Sequence, residues 1–220
     1  MPRLRIVEAT AQPPPDLFIE ANHRITNHLS MLLAIFRKEV RAMELRPPLI
    51  PRDDVVDTLN SMVGKFLAVL SLHRSFAASP KQEESDLSQA AINILCELQD
   101  SGIFGDRLHF VSAAGEPCPV KPNQASMLAL ILSEIVTNAI KYAHPTGLPV
   151  ELSIATSMTQ DGEVLLEIGD DGVGLPEGFV EARDAGVGLK LVRSMVERSG
   201  GHLELHSDSL GLRFIIHLPV

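Results

Sequence analysis

The chain of 220 residues has no tryptophan, one tyrosine and two cysteines. Cys96 and Cys118 make neither a metal-ligand spacing nor a disulfide framework. They read as plain core or loop residues, and a reducing cytoplasm is the expected setting. A basic excess is also missing. The formal net charge is −9, and nothing favours a nucleic-acid partner, whose phosphates require a basic stripe. No run of about 18 uninterrupted apolar residues occurs, so no direct membrane insertion is expected. The opening MPRLRIVEATAQPPPD lacks the apolar stretch of a signal peptide. Hydrophobic residues nonetheless make up 45% of the chain, enough for a real core in one domain or in a small and a medium one.

The first half reads as all helix. Pro13-Pro14-Pro15 suits a stiff extended lead-in over residues 1–15, and Asp16 is placed to cap a helix running to about Arg46. Apolar residues at 18, 25, 29, 32, 36, 40 and 43 recur at helical steps. Pro47-Pro48 and Pro51 end this helix, and a second runs from Asp53-Asp54 to about Ala78. The two predict an antiparallel hairpin over 16–79. Alone it leaves an apolar stripe bare. Pairing with a second copy into a four-helix bundle would cover it; the alternative is cover by the second half of the chain.

SPKQEESD, residues 79–86, reads as a linker, and the domain over 80–220 has mixed α/β patterning. Helices are expected over 87–100, 122–143 and 187–199, and strands over 107–113, 148–156, 163–169, 202–207 and 211–218. Asp161-Gly162 suits a hairpin turn. The fold class is therefore α+β: a helical hairpin, then an α/β sandwich with helices on one face of a mixed sheet.

FIEANHRITNHLSMLL, residues 18–33, is apolar yet carries two histidines. At roughly 100° per residue, His23 points about 150° from the centre of the apolar face. Glu20 and Asn27, three before and four after it, share that polar face. His28 lies near the apolar edge, where packing or hydrogen bonding is the expected role. An exposed His23 is compatible with a merely solvated surface. It also makes a competent nucleophile near neutral pH, with a carboxylate to orient its other ring proton and an amide to meet a phosphoryl group.

Three clusters in the second half suit a nucleotide. Glu134, Asn138 and Lys141 in SEIVTNAIKYA share one helix stripe; they offer a magnesium ligand, a carboxylate for metal-bound water and a cation for phosphate. DDGVGLP, residues 170–176, follows a strand; its glycines allow close backbone approach, and Asp170 is placed to accept from an amino group. Gly186-Val187-Gly188-Leu189 opens a helix whose free N–H groups suit phosphate. Each alone has a plain structural explanation. No Walker A loop and no dinucleotide fingerprint is present.

In their order, these clusters resemble the N, G1 and G2 boxes of the GHKL (Bergerat-type) ATP-binding fold, over about residues 85–220. HRITNHL resembles the H-R-x-x-N signature of bacterial sensor histidine kinases related to the HWE group. The HWE signature itself is missing, since Ser133 stands where that group has histidine, and Asn22, Thr26 and His28 depart from the sister pattern H-H-R-V-K-N-N. Only about ten residues separate the G1 and G2 boxes, as in this short-lidded subfamily. The resemblance implies a homodimer that uses ATP and Mg2+ to phosphorylate His23, assisted by Glu20 or Asn27, and passes the group to an aspartate of a response regulator receiver domain. It implies that Asn138 binds magnesium, Glu134 orders the metal site, Lys141 steadies phosphate and Asp170 holds the adenine amino group. Tyr142, Gly172, Gly174, Gly186, Gly188 and Leu189 would complete the nucleotide pocket. Fifteen residues before the hairpin leave no room for a sensor, so an upstream sensor or input protein is expected unless a sensor was removed. A histidine phosphotransferase with a dead nucleotide site, an anti-sigma-type serine kinase and a regulator-docking scaffold are the alternatives. The three intact boxes speak against the first.

Overall fold

The structure is a computed structural model that describes residues 15–45, 49–78, 85–112 and 117–219. Helices α1 (Pro15–Glu44) and α2 (Arg52–Ala78) come first. Then follow β1 (Ser85–Asp86), α3 (Leu87–Asp100), β2 (Leu108–Ser112), β3 (Pro119–Val120), α4 (Pro122–Tyr142), β4 (Val150–Met158), β5 (Val164–Asp170), α5 (Glu181–Asp184), α6 (Val187–Arg198), β6 (His202–Asp208) and β7 (Gly211–Leu218). The α+β class is as the periodicity predicts. Asp16 lies inside α1 rather than capping it. Residues 1–14 of the expected lead-in, the Pro47-Pro48 turn and residues 79–84 of the linker lie outside the described residues; Pro15, assigned to the lead-in, begins α1. The linker's last two residues are not linker: Ser85 and Asp86 pair with Val120 and Pro119. Asp86 Oδ1 then accepts from Ser88 N–H at 3.1 Å, capping α3, and from Cys118 N–H at 3.0 Å.

The main sheet has the order β2-β4-β5-β7-β6. β2 runs parallel to β4, and the other pairings are antiparallel. A parallel pair needs a crossover, and α4 supplies it. Strict alternation on β4 turns Val150, Leu152 and Ile154 inward, and Val164, Leu166 and Ile168 do the same on β5. They share one core with Leu95 of α3, Leu128 and Ile131 of α4, and Val192 and Val196 of α6. The other face of the sheet carries polar side chains such as Glu151, Glu167, His202 and His217.

Two windows, Arg52–Arg74 and Gln124–Tyr142, are long and apolar enough to cross a membrane by composition. The second is 83% buried inside the molecule, which accounts for its apolarity; the first is 44% buried. In the hairpin, Leu32 and Ile35 of α1 and Val69 and Leu72 of α2 are buried. The rings of Phe36 and Phe66 meet at 5.4 Å between centroids. Another face of α2 lies on α3 and α4, where Gly64 abuts Leu98, Ile103 and Phe104. The second half thus covers part of the hairpin, as the alternative reading allowed. Ile25, Leu29, Leu33 and Val40 of α1 and Val56, Leu59, Val63 and Leu70 of α2 remain exposed.

Candidate nucleotide site

Helix α4 supplies the floor of the site. Its polar stripe interrupts an otherwise buried surface: Glu134 is 4% exposed and Asn138 is half-buried. Gly188, in the first turn of α6, lies against both. A Cβ there would stand 2.9 Å from Glu134 Oε2 and 3.6 Å from the Asn138 amide. Gly186 caps α6 without a side chain, and nothing stands within 4 Å of where its Cβ would be. The first N–H groups of α6 therefore emerge beside a carboxylate and an amide, with the helix dipole favouring an anion.

Asp170 ends β5. Its Oδ1 accepts from Gly172 N–H at 2.9 Å and from Leu212 N–H at 3.2 Å. Burial pushes its carboxyl above the usual pKa, and the charge of Asp171 adds to that; the two backbone bonds and His144 oppose it. Gly211 makes this possible. With φ at +137°, it passes so close that a Cβ would fall 1.8 Å from the Asp170 carbonyl oxygen.

The glycine-acid loop is clamped at both sides. A Cβ on Gly172 would sit 2.5 Å from Ala143 Cα, and Val173 N–H donates to Ala143 O at 2.9 Å. Leu175 N–H donates to Ser207 Oγ at 2.7 Å. Asp171 pairs with His144 at 3.0 Å and accepts from Glu151 N–H at 2.9 Å. Further along, Glu181 of α5 is tied to α6 by Arg193, whose Nη2 donates to Glu181 Oε2 at 2.6 Å. Leu189 is buried at the base of α6, whereas Tyr142 is 67% exposed.

The structure brings Glu134, Asn138, Gly186, Gly188 and Leu189 to one place, with Asp170, Gly172 and Gly174 on the adjoining loop. Lys141 is turned elsewhere. It lines a cavity of about 310 Å3 with Asp57, Asn60, Phe104 and Arg107, between α2 and α4. A second cavity, of about 680 Å3, lies between α2 and α3 beside Cys96 and Arg74. Neither touches Asp170 or the glycine loops. On the hairpin, His23 and Asn27 are exposed on α1 and His28 is buried; Glu20 lies one turn before His23, and its side chain is outside the described set.

Lys65 was not singled out by its sequence pattern, although a lone cation in MVGKFLAVLSL is a visible signal. It is 1% exposed, and its Nζ lies 3.1 Å from Glu134 Oε1. The pair is close but not aligned for a hydrogen bond, so Oε1 is a buried carboxylate oxygen without one; Lys65 Nζ donates to Ser61 Oγ instead. The contributions of Gly211, His144 and Arg193 were equally out of reach, because each depends on a partner distant in sequence.

Among the described residues, no three His, Cys, Asp or Glu side chains form a metal cluster. Magnesium does not require one: it binds through one or two protein oxygens plus substrate phosphates and water. A buried carboxylate whose Oε2 faces Gly188, an adjacent amide and an open helix N-terminus fit that requirement.

An α+β fold with an acidic-glycine loop and a glycine-opened helix facing an Asn/Glu stripe defines a GHKL-type ATP-binding module joined to a helical hairpin. Residues 123–220 match the family described as histidine kinase-, DNA gyrase B-, and HSP90-like ATPase. Over most of its length the chain is similar to sensor histidine kinases. It is 24% identical over 205 residues to the sensor histidine kinase PdtaS of Mycolicibacterium smegmatis, covering 91% of this chain and 39% of that protein. It is 22% identical to blue-light-activated histidine kinase 2 of Erythrobacter litoralis, with 91% and 56% covered. The chain thus spans about two fifths of the first relative and just over half of the second. Its fold matches the histidine kinase domain of Erythrobacter litoralis EL346 blue-light activated histidine kinase with a TM-score of 0.65, at 20% identity over 93% of each chain.

Proposed function

We propose that this chain is an ATP-dependent protein histidine kinase that phosphorylates its own His23 and passes the phosphoryl group to an aspartate of a response regulator. The observation that supports this reading most directly is the convergence of Glu134, Asn138 and the open N-terminus of α6 in a chain that also carries an exposed histidine on a helical hairpin. The working units are the lead-in 1–15, the dimerisation and phosphoacceptor hairpin 16–79 and the ATP-binding domain 80–220. The protein works as a homodimer in the cytoplasm.

In this reading Asp170 accepts from the adenine amino group through the oxygen not used by the backbone. Gly172 and Gly174 shape the loop over the nucleotide, with Tyr142 and Leu189 at its edges. The N–H groups after Gly186 and Gly188 bind phosphate. Asn138 and Glu134 hold magnesium, which neutralises triphosphate charge when bound. Lys141 steadies phosphate only if it turns out of its present cavity. The His23 imidazole attacks the γ-phosphorus in line while the bond to the bridging oxygen breaks and ADP leaves. Glu20 or Asn27 orients the ring and takes up the proton or the hydrogen bond that this requires. Positioning and charge neutralisation supply most of the acceleration in such transfers.

The test is incubation with γ-labelled ATP and magnesium, comparing the wild type with His23→Ala and Asn138→Ala. The expected label is acid-labile and alkali-stable, and absent from both variants. Label persisting in His23→Ala would move the acceptor. No label on a folded protein that binds nucleotide would favour the docking reading, and no label without binding the phosphotransferase.

A further inference from the structure

We propose that the Lys65–Glu134 pair is an autoinhibitory latch, by which helix α2 holds the ATP-binding domain docked at rest and occupies the carboxylate that magnesium-nucleotide requires. The inference rests on the kinase reading and adds its regulation.

The pair spans the two halves of the chain. Lys65 belongs to the hairpin and Glu134 to the nucleotide stripe, and both are almost fully buried. The Glu134 carboxylate straddles the boundary, with Oε1 toward Lys65 and Oε2 toward Gly188. One carboxylate therefore serves two cations in turn. Apolar side chains in place of both charges would hold α2 against α4 as firmly as the ion pair does, whereas loss of one charge alone leaves the other buried and unpaired. A charged contact differs in being open to competition: Glu134 would ligate a divalent ion bound with a triphosphate, and Lys65 would then be buried without its partner.

The docked arrangement is also wrong for transfer to His23. His28 meets His73, and Phe36 meets Phe66, which fixes the register of the hairpin. Lys65 is eight residues before His73 on α2, and His23 is five before His28 on α1. At about 1.5 Å per residue, Glu134 sits roughly 20 Å along the hairpin from the level of His23. In-line transfer needs reacting atoms within about 3.5 Å. In a four-helix bundle with its two-fold along the hairpin, the partner's acceptor lies at that same level, so phosphorylation within or between chains requires α2 to release the domain.

The experiment is backbone hydrogen exchange on the full chain, with and without magnesium and a non-hydrolysable ATP analogue, alongside the affinity for that analogue. Wild type, Lys65→Met and Lys65→Arg are compared after circular dichroism establishes that each is folded. Amides of α2 over residues 58–72 should exchange slowly in the nucleotide-free wild type and several-fold faster with nucleotide. Lys65→Met should exchange fast without nucleotide and bind it about ten-fold more tightly. Lys65→Arg should behave as wild type. Nucleotide binding that leaves α2 exchange unchanged in the wild type overturns the latch, as does weaker binding by Lys65→Met with α2 still protected. The wild-type arm decides the matter should Lys65→Met not fold. Failure of all three proteins to bind nucleotide would instead remove the kinase reading, and the latch with it.

Discussion

His28 Nδ1 lies 3.0 Å from His73 Nε2, a ring-to-ring contact between the two helices of the hairpin. A bond between two imidazoles requires one to donate and the other to accept, so at least one ring is neutral. The contact pins the register of α1 against α2, and through it the level of His23. Replacing His28 with alanine should lower stability by about 1–3 kcal/mol, from lost packing and the lost imidazole–imidazole bond. His23→Ala, at an exposed position, should change it by less than about 0.5 kcal/mol. Urea unfolding of the two variants separates these outcomes, and equal effects would remove the structural role of His28.

Asp170 carries a cost for its position. Burial raises its pKa in the folded state above the ordinary carboxylate value. The folded protein then holds that proton more tightly than the unfolded chain, so the ionised carboxylate lowers stability at neutral pH. The penalty is relieved as pH falls through the folded pKa toward 3.8, the ordinary value. Asp170→Asn, which keeps an oxygen for Gly172 and Leu212, should unfold at an equal or higher temperature at pH 7 and lose that acid-side relief. Its amide would face an amino group with a donor, and nucleotide affinity should fall about a hundred-fold. Melting curves from pH 4 to 7 and a binding titration read both effects.

The glycines of the two loops should differ sharply in tolerance. Gly172→Ala drives a Cβ to 2.5 Å from the Ala143 backbone, and should cost about 1–3 kcal/mol. Gly186→Ala meets nothing within 4 Å, and should leave stability within about 0.5 kcal/mol. Any loss of nucleotide binding in Gly186→Ala would then report directly on the ligand's approach to α6. Chemical denaturation of both variants measures the contrast.

The bare apolar stripe of the hairpin makes the dimer testable. Leu29 is 53% exposed and Leu59 55%, although each leucine gains up to about 2 kcal/mol on burial. Light scattering should give two chains for the wild type and one for the double variant Leu29→Glu, Leu59→Glu, with helix content retained. A wild type that runs as one chain would remove the homodimer from the proposal.

Local pattern determined a great deal about this protein. Helical periodicity placed α1, α2, α4 and α6 to within a few residues. Alternation placed β4, β5 and β7, and the order of three short motifs pointed to the ATP-binding fold. These features repeat every two or every three to four residues, so neighbours in sequence carry them. The two-residue strands β1 and β3 and the four-residue α5 are too short to show a period, and none was foreseen.

Tertiary structure alone decided the pairings that join distant segments. Residues 65 and 134 come together because α2 rests on α4, and residues 170 and 211 because β5 lies beside β7. The same packing turned Lys141 into a cavity on the α2 side, although its spacing put it on the stripe with Asn138. Helical spacing gives only the direction of a side chain about its own axis; which neighbour occupies that direction is settled by how the apolar faces of separate elements find cover.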